Sequence, residues 1–151
     1  MPRVTLVEQP HYKHRHVLTV RATDINYAGH LSNEALLALV HEARANFLKE
    51  LGFNTIVDRQ QPVGLIIADL AVNFKTEAFA HQQVIIESQI GEIGTKSFRL
   101  FHRIRRKEQL IALVEAGMIA FSYRERKSVS LQPEFMTRLK EYHQPEMESI
   151  K

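Results

Sequence analysis

The stretch from Arg21 to Gly52, RATDINYAGHLSNEALLALVHEARANFLKELG, decides how the rest of the chain is read. Ala35, Leu36, Leu39, Val40, Ala43, Phe47 and Leu51 recur at helical spacing within it. Leu37, Ala38 and Leu48 carry apolar surface beyond a single stripe, and a helix apolar over most of its circumference must be covered on more than one side. Ser32 or Asn33 can cap its start by accepting from backbone N–H groups that lack intrahelical partners. Gly52 can take the left-handed conformation that ends it. Asp24, Asn26, His30, Asn33 and Glu34 crowd the start, more polar groups than a cap requires. Free N–H groups and the helix dipole make that end a place to hold an oxyanion.

Working outward, His14 to Ala22 (HRHVLTVRA) reads as a strand with Val17, Leu18 and Val20 available for burial, delivering Asp24 into the polar turn. Residues 1 to 11 read as a loose arm or edge strand. His11, His14 and His16 read as solvated strand histidines, since no acidic or further His partner for a metal lies nearby in sequence. Beyond Gly52, Phe53 to Pro62 reads as a loop with one helical turn. Gly64 to Phe74 is apolar enough for a strand buried on much of both faces, with Asp69 as an isolated charge inside it. Gln83 to Ile90 and Thr95 to Ile104 alternate as strands, and the GEIG between them, Gly91 to Gly94, reads as a hairpin turn. Arg105 to Glu108 makes the next turn, and Leu110 to Tyr123 a long last strand with a bulge or bend at Ala116 and Gly117. Pro133 opens a short helix holding Phe135, Met136 and Leu139.

One apolar helix after the first strand, then four strands joined by short turns, predicts an α+β domain in which an antiparallel, curved sheet wraps around the helix. The absence of crossover helices argues against a doubly wound fold. With 151 residues the chain has room for one domain, spanning 1–151. A 44% hydrophobic and 25% charged composition is that of a globular protein. The formal charge of +3 is mildly basic and forms no stripe with aromatic platforms, so nucleic acid is not expected as a partner. There is no cysteine, which excludes disulfides, thiolate nucleophiles and Cys-based zinc sites. The apolar runs are too short for a signal peptide or a bilayer span, so a cytoplasmic location and no membrane partner are expected.

Asp24, Asn26, Gly29, His30, Leu31 and Asn33, followed by Glu42, Ala43 and Arg44 and the terminal Leu51 and Gly52, resemble the motif of the hotdog-fold thioesterases of the 4-hydroxybenzoyl-CoA thioesterase family. That motif reads D-x-D-x-x-G-H-V-N-N, then a helix with E-x-A-R and a final L-G, and the match in element order covers roughly residues 14 to 125. The resemblance implies a hotdog fold, hydrolysis of an acyl- or aroyl-CoA thioester, no cofactor or metal, and a homodimer or homotetramer with sites shared between subunits. An acyl-carrier protein is the alternative carrier of the acyl group. The family's catalytic carboxylate, the second Asp of D-x-D, is here Asn26, and an amide cannot act as base at neutral pH.

The remaining candidates follow from that replacement. Asn26 is expected to orient water or the thioester carbonyl, and the backbone N–H near Asn33 to hold the oxyanion. The base is expected to be Glu34, ranked above Asp24 and Glu42, with His30 assisting. Thr95 and Ser97 are weaker candidates for positioning water. Arg105, Arg106 and Arg124, within two basic turns, would suit the phosphates of CoA. Without a base, the same residues describe a non-hydrolytic hotdog protein that binds acyl-CoA or acyl-carrier protein, and the basic turns leave an RNA-binding module as a distant third reading.

Overall fold

The computed structural model describes residues 3–53 and 63–143. The expected loop from Phe53 to Pro62 lies, beyond its first residue, outside the described residues. The first strand, β1 (His14–Thr19), leads through a short 3-10 turn (Ala22–Asp24) into the helix α1 (Asn33–Glu50). Four long strands follow, β2 (Val63–Phe74), β3 (Gln83–Ile93), β4 (Ser97–Arg106) and β5 (Gln109–Ser122), then the two-residue β6 (Lys127–Ser128) and the helix α2 (Pro133–His143). All pairings are antiparallel, in the order β1, β3, β4, β5, β2, with β6 added alongside the end of β5. The α+β class and the sheet around one helix stand as expected.

Both caps of α1 take the expected form. Ser32 Oγ accepts from the N–H of Ala35, so Ser32 rather than Asn33 is the cap, and Gly52 adopts a φ of 89° just past the helix. Contrary to the expectation of cover on more than one side, α1 buries one face among the described residues, through Leu36, Leu39, Val40, Ala43, Phe47 and Leu48. Its first half packs with Val84, Ile86, Ile104, Ala112 and Val114 of the sheet. Its second half packs with Ile90, Phe98, Leu100, Ala116 and Met118 and with Phe135 and Leu139 of α2. Between these two apolar clusters lies a polar layer: Ser88 of β3, His102 of β4 and Arg44 of α1, all buried.

Several sequence expectations need correction. The Gly64–Phe74 segment is an edge strand, not a doubly buried one: Ile67, Leu70 and Phe74 are exposed. An apolar run reads the same way at an edge as at the centre, because hydropathy does not record which strands lie alongside. Asp69 is not isolated, since Arg99 Nη1 donates to its Oδ1 at 2.7 Å and Arg99 Nη2 to its Oδ2 at 2.8 Å. The bulge expected at Ala116 and Gly117 falls on the facing strand, between Ile67 and Asp69, and Gly117 lacks the Cβ that would collide with Asp69 Oδ1 and Arg99 Nη1. β3 continues through Gly91 to Ile93, so the hairpin turn is Gly94 to Lys96.

The N-terminal arm and the first histidine also depart from expectation. Asn73 Nδ2 donates to Val4 O at 2.8 Å while its Oδ1 accepts from Leu6 N at 2.7 Å. Arg103 ion-pairs with Glu8 at 3.1 Å and lies 4.4 Å from the centre of the Tyr12 ring. The arm is thus strapped across the sheet. His14 is not solvated: its ring stacks on Phe47 at 4.7 Å and its Nε2 lies 3.8 Å from Glu50. Burial lowers its pKa against the opposing pull of Glu50.

Candidate functional site

A tight turn builds the site. Asn26 N donates to His30 O and Gly29 N to Asn26 O, both at 3.0 Å. Gly29 has a φ of 88°, which a residue with a Cβ reaches only under strain. The side-chain oxygen of Asn26 accepts from Ala28 N at 3.0 Å and lies 3.4 Å from His30 N. Its oxygen therefore serves the turn and its Nδ2 is left as a donor. Ile25 and Leu31 close the turn with an isolated bridge.

The segment after β2 is tied to this turn from two sides. Leu31 N donates to Ala78 O at 2.7 Å. Lys75 N and Thr76 N donate to Ile111 O at 2.8 and 3.2 Å. Between turn and segment opens a pocket of about 470 Å³. Leu31, Leu36, Phe74, Ala78 and Ile111 give it apolar walls, and Asn26, His30, Asn33, Lys75, Thr76 and Glu77 its polar groups. Apolar walls beside convergent polar groups suit a small molecule that has both an apolar and a polar part.

At the helix start the N–H groups are accounted for one by one. Ala35 N is capped by Ser32 Oγ and Leu36 N by Ser32 O, while Glu34 N donates to Asn33 Oδ1 at 3.0 Å. Asn33 N has no acceptor among the described residues, so it is the open donor of the first turn. His30 Nδ1 lies 3.3 Å from Leu31 O. A carbonyl oxygen only accepts, so Nδ1 carries a proton, and in the neutral ring Nε2 then keeps its lone pair. That Nε2 lies 3.8 Å from Oε1 of Glu77.

Of the residues singled out in the sequence, the pocket gathers Asn26, His30 and Asn33 and leaves the three carboxylates outside its lining. Asp24 is buried, accepting from Arg21 N at 2.8 Å and Arg21 Nη2 at 2.9 Å. Those hydrogen bonds from Arg21 hold its carboxyl below the usual range and outweigh its burial. Glu34 is exposed on the first turn, and Glu42 is exposed two turns further on, where its Oε1 accepts from Asn46 Nδ2 at 3.2 Å. Thr95 and Ser97 lie at the β3–β4 hairpin, where Thr95 O accepts from Leu131 N and Ser97 O from Gly94 N.

The basic residues divide. Arg105 is engaged by Glu87, which also takes both Nε and Nη2 of Arg103 at 3.1 Å. Burial raises the pKa of Glu87, but these two arginines prevail and its carboxyl is held below the ordinary value. Arg106 ends β4 near Ile111, whereas Arg124 follows β5 at the opposite end of that 14-residue strand. The two basic turns therefore do not converge on one site within the chain. Glu77, which the sequence reading passed over, is the carboxylate the pocket contains.

This chain belongs to the thioesterase-like superfamily, whose family model matches residues 20–139. Its fold is the hotdog fold of solved thioesterases. It superposes on a 1,4-dihydroxy-2-naphthoyl-CoA thioesterase from Synechocystis with a TM-score of 0.79 and 18% identity, covering 87% of this chain and 98% of that one. A gentisyl-coenzyme A thioesterase gives a TM-score of 0.75 and 22% identity over 83% and 98% of the two chains. A Staphylococcus aureus protein solved in complex with CoA gives 0.80 and 17% over 87% and 85%. No curated protein matches the chain. Among the described residues no helix is long and apolar enough to cross a membrane.

Proposed function

We propose that this chain is an acyl-CoA thioesterase, hydrolysing an acyl- or aroyl-CoA to CoA and a carboxylic acid. The observation that carries the reading is the open N–H of Asn33 beside an apolar pocket. Attack on a thioester places negative charge on the carbonyl oxygen, and a preorganised N–H at a helix start stabilises that charge. Asn26 Nδ2 adds a second donor to the same rim. The acyl group lies against Leu36, Phe74 and Ile111, and Arg106 serves the CoA phosphates. The relatives named above, two of them CoA thioesterases by name and one solved with CoA, support a CoA thioester as substrate.

The protein acts in the cytoplasm as a homodimer or homotetramer. The exposed apolar side chains of Ile67, Leu70 and Phe74 on the edge strand β2 support pairing of two copies there. Free-thiol release from a panel of aliphatic and aromatic acyl-CoAs tests the activity. One observation favours the second reading, a non-hydrolytic binder of acyl-CoA or acyl-carrier protein: the oxygen of Asn26 is committed to the turn and the position holds no carboxylate. Tight CoA binding without thiol release is the result that would establish it.

A further inference from the structure

We infer that Glu77 is the general base of the pocket, acting on a water held between its carboxylate and Nε2 of His30. This rests on the thioesterase reading and supplies the base that Asn26 cannot be.

Three observations converge. First, among the described residues that line the pocket Glu77 is the one carboxylate. Second, its backbone is held in place on both sides, by the Thr76 N–H on Ile111 O and the Ala78 carbonyl on Leu31 N. Third, Nδ1 of His30 donates to Leu31 O, so the neutral ring turns Nε2 to Glu77 Oε1 as one acceptor facing another at 3.8 Å. Two acceptors that close repel unless a donor lies between them. A single water with both hydrogen bonds near 2.8 Å bridges such a gap and donates one hydrogen to each. Its lone pairs then face away from both acceptors, towards the pocket.

The step balances without further reagents. The water oxygen bonds to the thioester carbonyl carbon, its proton passes to Glu77, and the carbonyl electrons move onto the oxygen held by Asn33 N–H. When the tetrahedral intermediate collapses the C–S bond breaks and its electron pair leaves on sulfur. Glu77 returns the proton to that sulfur, giving the CoA thiol and a carboxylic acid that ionises in solvent. His30 holds the water and is a positioning residue in this scheme.

Glu77 is exposed and its carboxylate is solvated, so losing its charge costs little stability and Glu77→Gln should fold normally. The test measures thiol release by wild type, Glu77→Gln and Glu34→Gln, together with the Kd of each for a non-hydrolysable S-alkyl-CoA thioether. Glu77→Gln is expected to lose at least about 10²-fold in kcat with the thioether Kd unchanged, while Glu34→Gln keeps its rate within about threefold. An active wild type with Glu77→Gln within threefold overturns the assignment of the base alone. So does a Glu77→Gln loss that appears only as weaker thioether binding. A wild type that binds the thioether but releases thiol from no acyl-CoA overturns the thioesterase reading and this assignment with it.

Discussion

Oγ of Ser88 lies 2.7 Å from Nδ1 of His102, and both side chains are sealed between the sheet and α1. His102 Nε2 has no partner among the described residues. Burial, with the nearby Arg44 and His14 adding their charge, pushes the pKa of His102 down to about 3. The imidazole is therefore neutral in the folded protein.

Acid stability follows from that pair. Unfolded histidine titrates near 6.5, so below that pH the unfolded state takes up a proton that the folded state refuses. The contribution is complete above about pH 6.5 and is lost as pH falls towards 3, at about 1.4 kcal/mol per pH unit. Urea midpoints at pH 7, 6 and 5 should show this loss. Ser88→Ala alone leaves His102 Nδ1 without its partner and should cost about 1–3 kcal/mol. Ser88→Ala with His102→Leu removes both partners and the titration, so the double variant should be no less stable than Ser88→Ala and should lose one proton's worth of pH dependence.

The strapped N-terminal arm makes a local prediction. Asn73 meets Val4 O and Leu6 N with its two amide atoms, as a neighbouring strand would. Asn73→Ala removes both contacts while the pairing of β2 with β5 stays whole. Hydrogen exchange at Leu6 should accelerate and proteolysis within the arm should increase, with global unfolding shifted by no more than about 1–2 kcal/mol. Unchanged protection at Leu6 would show that Arg103, through Glu8 and Tyr12, holds the arm by itself.

How far the sequence could be read depended on whether the signal was local. The bounds and caps of the helix were legible because Ser32, the apolar spacing and Gly52 all act within one element, whereas the expected cover on more than one side was not met. Strand positions were legible too, and so was the gathering of Asn26, His30 and Asn33, which one turn of chain accomplishes. The edge position of β2 was not, because the apolar side chains of Ile67, Leu70 and Phe74 read as buried ones and yet are exposed. His14 looked solvated since Phe47 and Glu50 reach it only through packing. Glu77 was invisible for the same reason. It lies more than forty residues from His30 in sequence, and the long-range hydrogen bonds of its segment to Leu31 and Ile111 bring the two together.

Recognition of the CoA nucleotide should divide the basic turns. Arg105 is occupied by Glu87, and Arg124 stands at the far end of β5 from the pocket, which leaves Arg106 best placed. Arg106→Ala should raise KM for an acyl-CoA about 5- to 10-fold, less at high salt, and scarcely change it for an acyl-pantetheine. Arg124→Ala should leave both values alone if the site lies within one chain. A rise in KM for acyl-CoA caused by Arg124→Ala would instead mean that a second copy brings its β5 end to this pocket.

The last prediction concerns the residue where this chain departs from its family's motif. Asn26 Oδ1 is needed by the turn, since it accepts from Ala28 N, and an aspartate there keeps an oxygen in that place. The fold should therefore accept Asn26→Asp. What changes is the second atom, from an N–H donor at the rim of the pocket to a carboxylate oxygen, where the family motif carries its base. In the wild-type background the gain of a second base and the loss of a donor oppose each other, and the net change in kcat should stay within about 10-fold. In the Glu77→Gln background no carboxylate remains in the pocket, so the new one decides the rate. Asn26→Asp with Glu77→Gln should recover at least about 10-fold of the kcat that Glu77→Gln loses, a departure from additivity expected only if both residues do the same job. If the double variant is as slow as Glu77→Gln or slower, a carboxylate at position 26 cannot reach the water, and the two sites are not interchangeable.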